Sequence, residues 1–194
     1  ISPNKILDIN FYDDLALVFS SKKISFFQLR LKKETNLNKL IIGKKIRKIC
    51  NKYKVKFLIN DDPLLAKKLN ADGCHLGQKD MDLIKARKIL KNKIIGVTCH
   101  NSINLAKRAI KDGADYLAFG AFYATKTKTV KYRASLTVLK SIKKITSLPI
   151  VAIGGIKLNN YKKLLLNKAN FLAISGYIWN NKKYKPLEAI KKLK

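Results

Sequence analysis

The sequence has few acidic residues and no basic tail. Aspartate and glutamate supply 12 residues against 42 lysines and arginines, so the formal net charge is +30. That balance alone favours nucleic acid or an anionic membrane surface as a partner. The lysines, however, are spread over nearly every predicted helix, without an interleaved aromatic platform. We therefore predict no nucleic-acid and no membrane partner, and a surface field that favours anionic small-molecule substrates.

The sequence also has few cysteines and no long apolar run. Its three cysteines form no CxxC pair, which is typical of a reducing compartment rather than of a disulfide-bonded secreted protein. The longest apolar runs, near 148–156 and 171–179, are too short to span a bilayer. No signal peptide is visible, so we expect a cytoplasmic protein. Because the chain begins at Ile1 and its predicted first strand is almost absent, we expect either that N-terminal residues are missing or that another copy or the C-terminal segment covers the gap.

Short β-branched or aromatic runs alternate with amphipathic helical stretches along the whole chain. This pattern is typical of an α/β fold with a parallel sheet, although an open doubly wound sheet shares much of it. Eight such units exhaust the length and no linker divides them, so we predict a single-domain (β/α)8 TIM barrel over residues 1–194. Its first strand is largely missing, with residues 1–3 as its tail. The other predicted strands are 24–30, 56–60, 73–76, 94–98, 116–120, 149–153 and 171–175.

Helix boundaries are marked at several points. A helix is predicted over 11–19, and Asp62 before Pro63 predicts a capped helix start. Gly113 lies where a helix should end in the left-handed conformation. The segments 70–73 and 112–115 each close a helix before a strand, so we interpret them as repeats of one βα unit.

Cations and anions follow separate predicted strands. Period-two alternation puts Gln28, Arg30 and Lys32 on one face of their strand, opposite an apolar face. Inward-facing cations require an anion, which is either a substrate diphosphate or an internal ion pair with a neighbouring strand. Asp61 and Asp80 follow the next two strands, so they should reach the same rim, where carboxylate oxygens suit Mg²⁺. Asp62 is better explained as a helix cap.

Glycines at the ends of the last two predicted strands indicate a phosphate site. Gly154 and Gly155 follow one strand, and Ile174, Ser175 and a glycine end the other. Free N–H groups near a helix start favour a phosphate, and barrels often hold one there. The loop around residues 120–128, with its hydroxyls and lysines, lies at the same end.

Two Cys-His dipeptides do not indicate zinc, because neighbours on a strand point to opposite faces and no second half of a zinc motif exists. We predict that His75 is a packed barrel residue. His100, just past its strand, is either part of the rim structure or an acid–base group.

These motifs occur in the order found in thiamine phosphate synthases, which the sequence resembles from about residue 1 to 175. The resemblance is carried by Gln-Leu-Arg-Leu-Lys at 28–32, Ile-Asn-Asp at 59–61, Ala-Asp-Gly-Cys-His-Leu-Gly-Gln-Lys-Asp-Met at 71–81, Gly-Ala-Asp-Tyr at 113–116, Thr-Lys-Thr-Lys at 125–128 and Ala-Ile-Gly-Gly-Ile at 152–156. It implies that hydroxymethylpyrimidine diphosphate and a thiazole phosphate are joined to give thiamine monophosphate and diphosphate, with Mg²⁺ as cofactor and a homo-oligomer left open.

The resemblance also implies a role for individual residues. Diphosphate would leave first, giving a pyrimidine methylene cation that the thiazole nitrogen captures. Residues in catalytic positions would be Arg30, Lys32, Thr98 and Lys128, and Mg²⁺ would bind Asp61 and Asp80. The substrate-binding set would comprise Gln28 at the pyrimidine, Arg30, Lys32, Asn60, Thr98 and Lys128 at the diphosphate, Thr125 and Thr127 at the thiazole, and Gly155, Ile174 and Ser175 at its phosphate.

Three positions depart from the family pattern: Asp62 replaces a basic residue, Ala124 a proline and Thr98 a serine. Two other functions remain open. One is a thiazole tautomerase of the same superfamily with His100 as the acid–base group, and the other is a non-catalytic polyanion-binding protein.

Overall fold

Helices and strands alternate along the chain in a computed structural model that describes residues 1–6, 8–125 and 133–193. The strands are β1 (Phe26–Leu29), β2 (Lys56–Asn60), β3 (Gly73–Leu76), β4 (Ile94–His100), β5 (Tyr116–Gly120), β6 (Ile150–Ile153) and β7 (Phe171–Ala173). The helices are α1 (Asn10–Ser20), α2 (Asn36–Lys52), α3 (Pro63–Lys68), α4 (Leu83–Leu90), α5 (Ile103–Lys111), α6 (Leu136–Lys143), α7 (Tyr161–Leu166), α8 (Gly176–Trp179) and α9 (Pro186–Lys192).

The strands form one parallel sheet in chain order. Each strand pairs with the next along the sequence, from β1 beside β2 to β6 beside β7. Because all strands run the same way, their carboxyl ends lie on one edge of the sheet. The prediction of an α/β fold with a parallel sheet is confirmed.

The first residues of the chain join the two edges of this sheet. The Ile1 nitrogen donates to the Ile174 carbonyl at 3.0 Å, beyond the end of β7, and the Ser2 N–H donates to the Gln28 carbonyl of β1 at 2.9 Å. The sheet is therefore curled, with residues 1–3 between its edge strands. The sequence predicts eight strands, whereas the described residues form seven. The reason is that residues 1–3 make too few ladder bonds to form an eighth strand.

Helix starts follow the signals in the sequence. Asp62 caps α3 by accepting a hydrogen bond from the Leu65 N–H at 2.9 Å, with Pro63 in the first turn. Gly113 ends α5 with a φ of +89°, as predicted. The predicted helix over 11–19 corresponds to α1.

The two faces of the sheet differ in what they contact. Alternate residues such as Phe57, Ile59 and Leu117 are buried in the apolar core together with buried side chains of the helices. The opposite side chains line a cavity of about 510 Å³, which extends from the inside of the curled sheet toward α1 and α9. Residues that line it include Gln28, His75, Tyr116, Val151 and Trp179.

The same type of hydrogen bond connects the loops before β3, β5 and β7 to the preceding strand. A polar side chain that precedes a strand accepts the hydrogen bond of an N–H near the start of the previous strand: Asp72 from Phe57 at 2.8 Å, Asp115 from Ile95 at 2.7 Å and Asn170 from Ile150 at 2.9 Å. Arg47 also pairs with Asp72, and Arg87 pairs with Asp115 at 2.6 Å. The predicted equivalence of segments 70–73 and 112–115 is thus confirmed.

Two further observations concern compartment and membranes. Cys50, Cys74 and Cys99 are buried and form no disulfide, and burial raises the pKa of the Cys50 thiol to about 12. Within the described part of the chain, no helix combines the length and apolar character needed to cross a bilayer.

We expect the Asp72 carboxylate to stabilise the fold in a pH-dependent way. Burial raises the pKa of Asp72, but the Phe57 N–H and Arg47 outweigh burial, so this pKa lies below its ordinary value. The stabilisation is therefore present above the unfolded-state pKa of about 3.9 and is lost as the pH falls through the lower folded-state pKa. Asp72→Ala should lower the free energy of unfolding by about 2 kcal/mol at neutral pH, because the Phe57 N–H loses its charged acceptor.

Urea unfolding of Asp72→Ala and of the natural chain, at neutral pH and at a pH of about 3, measures this effect. The difference in free energy of unfolding between the two chains should be smaller at the acidic pH. Asp112→Ala is the matched control, since Asp112 has no ion pair among the described side chains. A difference of the same size at both pH values would contradict the assignment.

Candidate active site

One cation and two carboxylates meet at the carboxyl edge of the sheet. The Lys32 ammonium, just past β1, lies 2.7 Å from the Asp61 carboxylate, which follows β2. The Asp61 side chain in turn is adjacent to that of Asp80, which follows β3, so each of the two acids shifts the pKa of the other. The sequence left two partners open for Lys32, a substrate diphosphate or an internal ion pair. The structure contains the ion pair, with Asp61. The pair remains accessible, because half of the Lys32 side chain is exposed.

The backbone around Asp61 directs its carboxylate to this edge. Asp61 has a φ of +65°, and its N–H donates to the His75 carbonyl at 2.8 Å, which continues the β2–β3 pairing by one residue. The next residue, Asp62, turns away to cap α3. The two neighbouring acids therefore have different positions, as predicted.

Asp80 is fixed by a tight turn. Its N–H donates to the Gly77 carbonyl at 3.3 Å, and its Oδ2 accepts the Gly77 N–H at 2.6 Å. A Cβ at residue 77 would lie 2.8 Å from Asp80 Oδ2, so glycine permits this contact. The Gln78 side chain holds the turn to β4 by donating to the Thr98 carbonyl at 2.6 Å.

The two carboxylates have opposite pKa shifts. Burial raises the pKa of each. For Asp61 the hydrogen bonds from Lys32 and Asp80 outweigh burial, so its pKa is lowered. For Asp80 burial and the adjacent Asp61 together raise the pKa. Asp61 is thus the ionised member of the pair, and Asp80 is the member that takes up a proton first.

This donor set suits a hard divalent cation. Two half-buried carboxylates in contact need a shared proton or a cation between them, and oxygen ligands are those that Mg²⁺ prefers. Outside this pair, residues 1–6, 8–125 and 133–193 contain no cluster of three or more His, Cys, Asp or Glu side chains arranged for a metal. A Mg²⁺ ion at Asp61 and Asp80 would therefore need substrate oxygens or water to complete its coordination.

The other predicted residues near β1 and β2 lie beside this edge. Gln28 is buried and lines the cavity. Arg30 is half-buried, directly after β1, and its guanidinium donates to Asn4 Oδ1 at 3.2 Å. Asn60 ends β2, paired in register with His75.

Thr98 lies on β4 at the same edge, in contact with a residue for which the sequence predicts only packing. Its Oγ1 is 2.8 Å from His75 Nε2, and His75 Nδ1 is 2.8 Å from the Tyr116 hydroxyl. His75 is buried, as predicted, but it is also hydrogen-bonded on both ring nitrogens. His100 ends β4, where the β4–β5 register shifts.

The predicted phosphate loops lie after β6 and β7. Gly155 has a φ of +65°, and a Cβ there would overlap the Ala124 carbonyl, so only glycine allows these two loops to meet so closely. Ser175 Oγ donates to the Ser2 carbonyl at 2.9 Å. Thr125 is half-buried in the loop after β5, whereas Thr127 and Lys128 lie outside the described residues.

Sequence reasoning missed the part played by Tyr116 and Gly96. The strand registers align His75 with Gly96 and Gly96 with Tyr116, so the three positions form one row across β3, β4 and β5. No local signal in the sequence marks this row, because it exists only through the registers of the three strands.

A curled parallel sheet that gathers an ammonium and two carboxylates at its carboxyl edge is typical of barrel-type enzymes with anionic substrates. Residues 2–178 match the thiamine monophosphate synthase family. The thiamine-phosphate synthase of Pelagibacter ubique (strain HTCC1062) is 96% identical over 194 residues, which are 100% of this chain and 94% of that protein. That of Marinobacter nauticus is 45% identical over 150 residues, 77% of this chain and 67% of that protein. The chain belongs to the thiamine monophosphate synthase family.

Solved structures agree with this assignment. The thiamine phosphate pyrophosphorylase of Pyrococcus furiosus superposes with a TM-score of 0.86 at 27% identity, covering 99% of this chain and 90% of that one. A 3-hexulose-6-phosphate synthase superposes with a TM-score of 0.67 at 17% identity, covering 99% of this chain and 96% of that one, and this likeness concerns the fold alone.

We expect Gly96→Ala to disturb the site through Tyr116. A Cβ at residue 96 would overlap the Tyr116 ring, so the ring must move away from His75. Overpacking of this kind costs about 1–3 kcal/mol. Thermal or urea unfolding measures the decrease in the free energy of unfolding.

A double-mutant comparison identifies the obstacle. Gly96→Ala should cost clearly less in a Tyr116→Ala chain than in the natural chain, because the two positions are in contact. Equal costs in both backgrounds would show that the Tyr116 ring is not what residue 96 accommodates.

Proposed function

We propose that this chain forms thiamine monophosphate by joining hydroxymethylpyrimidine diphosphate to a thiazole phosphate, with release of diphosphate. Membership of the family supports the reaction, and the thiazole is 4-methyl-5-hydroxyethylthiazole phosphate or its carboxylated form. The observation that carries the proposal is the meeting of Lys32, Asp61 and Asp80 at one edge of the sheet. Cations and carboxylates together suit a metal-bound diphosphate and have little use with a neutral substrate.

The chemistry is departure of the diphosphate before the new bond forms. The C–O bond to the pyrimidine methylene breaks, the electron pair leaves with diphosphate, and the thiazole nitrogen then attacks the methylene cation. Bound at Asp61 and Asp80, Mg²⁺ would supply positive charge to the leaving group. Arg30, Lys32 and Lys128 stabilise the same charge, while Asn60 and Thr98 orient the diphosphate.

The remaining residues hold the two rings in position. Gln28, on the inner face of β1, contacts the pyrimidine. Thr125 and Thr127 border the thiazole, and its phosphate lies against Gly155, Ile174 and Ser175. The close approach of the loops at Gly155 and the fixed Ser175 support a preformed site on this side.

The proposal extends to the architecture. Residues 1–194 act as one catalytic domain, in which an eighth strand at the position of residues 1–3 closes a (β/α)8 barrel. The bonds of Ile1 to Ile174 and of Ser2 to Gln28 support that closure. Unpaired buried cysteines support a cytoplasmic location. A homo-oligomer is compatible with this arrangement.

Incubation of the protein with the pyrimidine diphosphate, the thiazole phosphate and Mg²⁺ tests the reaction. Thiamine monophosphate and diphosphate should form in equal amounts, and chelation of the metal should stop turnover. Arg30→Ala should lower kcat/KM by about a hundredfold, since a charge-assisted contact to the leaving group is lost. Metal-independent turnover that survives Arg30→Ala would overturn the proposal.

The neighbouring acids Asp61 and Asp62 provide a matched pair of variants. Asp61→Ala should raise the Mg²⁺ concentration required for half-maximal activity by about tenfold or more, because one carboxylate ligand is lost. Asp62→Ala should leave that concentration unchanged and lower the free energy of unfolding by about 1 kcal/mol, because α3 loses its cap.

Mg²⁺ titrations of activity and urea unfolding of both variants give the result. A larger change in Mg²⁺ requirement for Asp62→Ala than for Asp61→Ala would reverse the assignment of the two acids.

A further inference from the structure

Three polar side chains, the buried His75 and the half-buried Tyr116 and Thr98, are hydrogen-bonded in a row across β3, β4 and β5. Tyr116 on β5 is hydrogen-bonded to His75 Nδ1 on β3 at 2.8 Å, and His75 Nε2 to Thr98 Oγ1 on β4 at 2.8 Å. The rings of His75 and Tyr116 are stacked, with centroids 5.6 Å apart and planes 21° apart. Thr98 is the member of this row that lies furthest toward the carboxyl ends of the strands.

Gly96 makes the connection across β4 possible. It pairs with His75 on one side and with Tyr116 on the other, and it leaves the space that the Tyr116 ring occupies. Thr98 is two residues further along β4 and therefore on the same face, one step closer to the carboxyl edge. Gly96 thus has no side chain at the point of β4 where the His75 and Tyr116 rings meet.

The direction of the hydrogen bonds follows from Tyr116. Burial raises the pKa of its phenol, so the group keeps its proton. Among residues 1–6, 8–125 and 133–193, His75 Nδ1 is the one hydrogen-bond partner of the Tyr116 hydroxyl. A hydrogen on Nδ1 would leave the phenol proton without an acceptor among these residues, which is unfavourable for a half-buried group inside the sheet. The phenol therefore donates to Nδ1, and the His75 hydrogen is on Nε2.

This direction determines what Thr98 can do. The His75 Nε2–H donates to Thr98 Oγ1, so the Thr98 hydroxyl hydrogen is not used on His75. Within the described residues no other group accepts it. The Thr98 hydroxyl therefore keeps its hydrogen for another acceptor.

We infer that Tyr116 and His75 are positioning residues that fix the Thr98 hydroxyl as a hydrogen-bond donor to the departing diphosphate. This inference rests on the proposed function for the identity of the acceptor, whereas the hydrogen-bond direction is argued from the contacts of Tyr116 and His75 without it. The role of Tyr116 is exerted through Thr98, so it disappears when the Thr98 hydroxyl is removed.

Steady-state kinetics of Tyr116→Phe, Thr98→Val and the double variant test the coupling. Tyr116→Phe should lower kcat by about fivefold, which corresponds to one hydrogen bond, with KM for both substrates nearly unchanged. In the Thr98→Val background Tyr116→Phe should have no further effect, and Thr98→Ser should retain most of the natural kcat. The same fold-loss in both backgrounds, or no loss in either, would overturn the inference.

A second measurement is independent of activity. The chain contains two histidines, so a ¹⁵N-histidine spectrum has signals from His75 and His100 alone, and His100→Gln assigns them. In a spectrum recorded at a pH of about 8, the hydrogen shared with Thr98 should appear on His75 Nε2, and Nδ1 should carry none. Tyr116→Phe should shift the ring toward a mixture of tautomers. A ring protonated on Nδ1, or a spectrum that Tyr116→Phe leaves unchanged, would refute the proposed direction.

The control variant is Tyr53→Phe, at a half-buried ring that packs against Phe19 away from this chain of contacts. It should change neither kcat nor the His75 signals. If the natural protein forms no thiamine monophosphate, the proposed function fails, and the spectrum still decides the hydrogen-bond direction.

Discussion

The contact between the Lys32 ammonium and the Asp61 carboxylate, with Asp80 adjacent, is the constraint around which the site is arranged. It depends on three consecutive parallel strands that end at one edge, because each strand contributes one of the three groups. The local backbone then fixes the two acids. Asp61 lies in a left-handed turn that is bonded to β3, and Asp80 is held by the Gly77 turn. Close charges of both signs, half open to solvent, form a site that would accommodate the metal-bound anion of the proposed function.

Acidic residues are scarce in this strongly basic chain, so the contacts of each one indicate its role. With only 12 carboxylates in the sequence, most of those in the structure have an identifiable contact. Asp62 and Asp82 cap helices, and Asp72 and Asp115 tie loops to strands. The pair Asp61 and Asp80 is different, because two adjacent acids repel each other when both are ionised. A cation bound between them, as the proposed function requires, would remove that repulsion.

Much of this could be predicted from the sequence. The βα period gave the parallel sheet, and strand order then required Asp61 and Asp80 to reach one edge. Asp62 was separable from Asp61 because a following proline is a local signal for a cap. The contact of His75 with Tyr116 was not predictable in the same way, because it crosses β4 at Gly96 and depends on strand register. Register is set by packing across the whole sheet, which no local pattern encodes.

The predicted eighth strand shows a second limit of prediction from the sequence. The sequence indicates that residues 1–3 end a strand, and the structure bonds them to both edges of the sheet. Residues 1–3 make too few backbone bonds to either edge to form a strand, so the sheet of the described residues has seven strands. The cavity that reaches this seam is consistent with a weakly filled position between β7 and β1.

Calorimetric titration with inorganic diphosphate tests the central claim most directly, since diphosphate is the leaving group without the rest of the substrate. At raised ionic strength, which screens the general positive charge, diphosphate should bind measurably with Mg²⁺ and far more weakly without it. Asp61→Asn and Asp80→Asn should remove the Mg²⁺ dependence. Equal affinity with and without Mg²⁺, unchanged by both substitutions, would contradict a metal-bound diphosphate at this edge of the sheet.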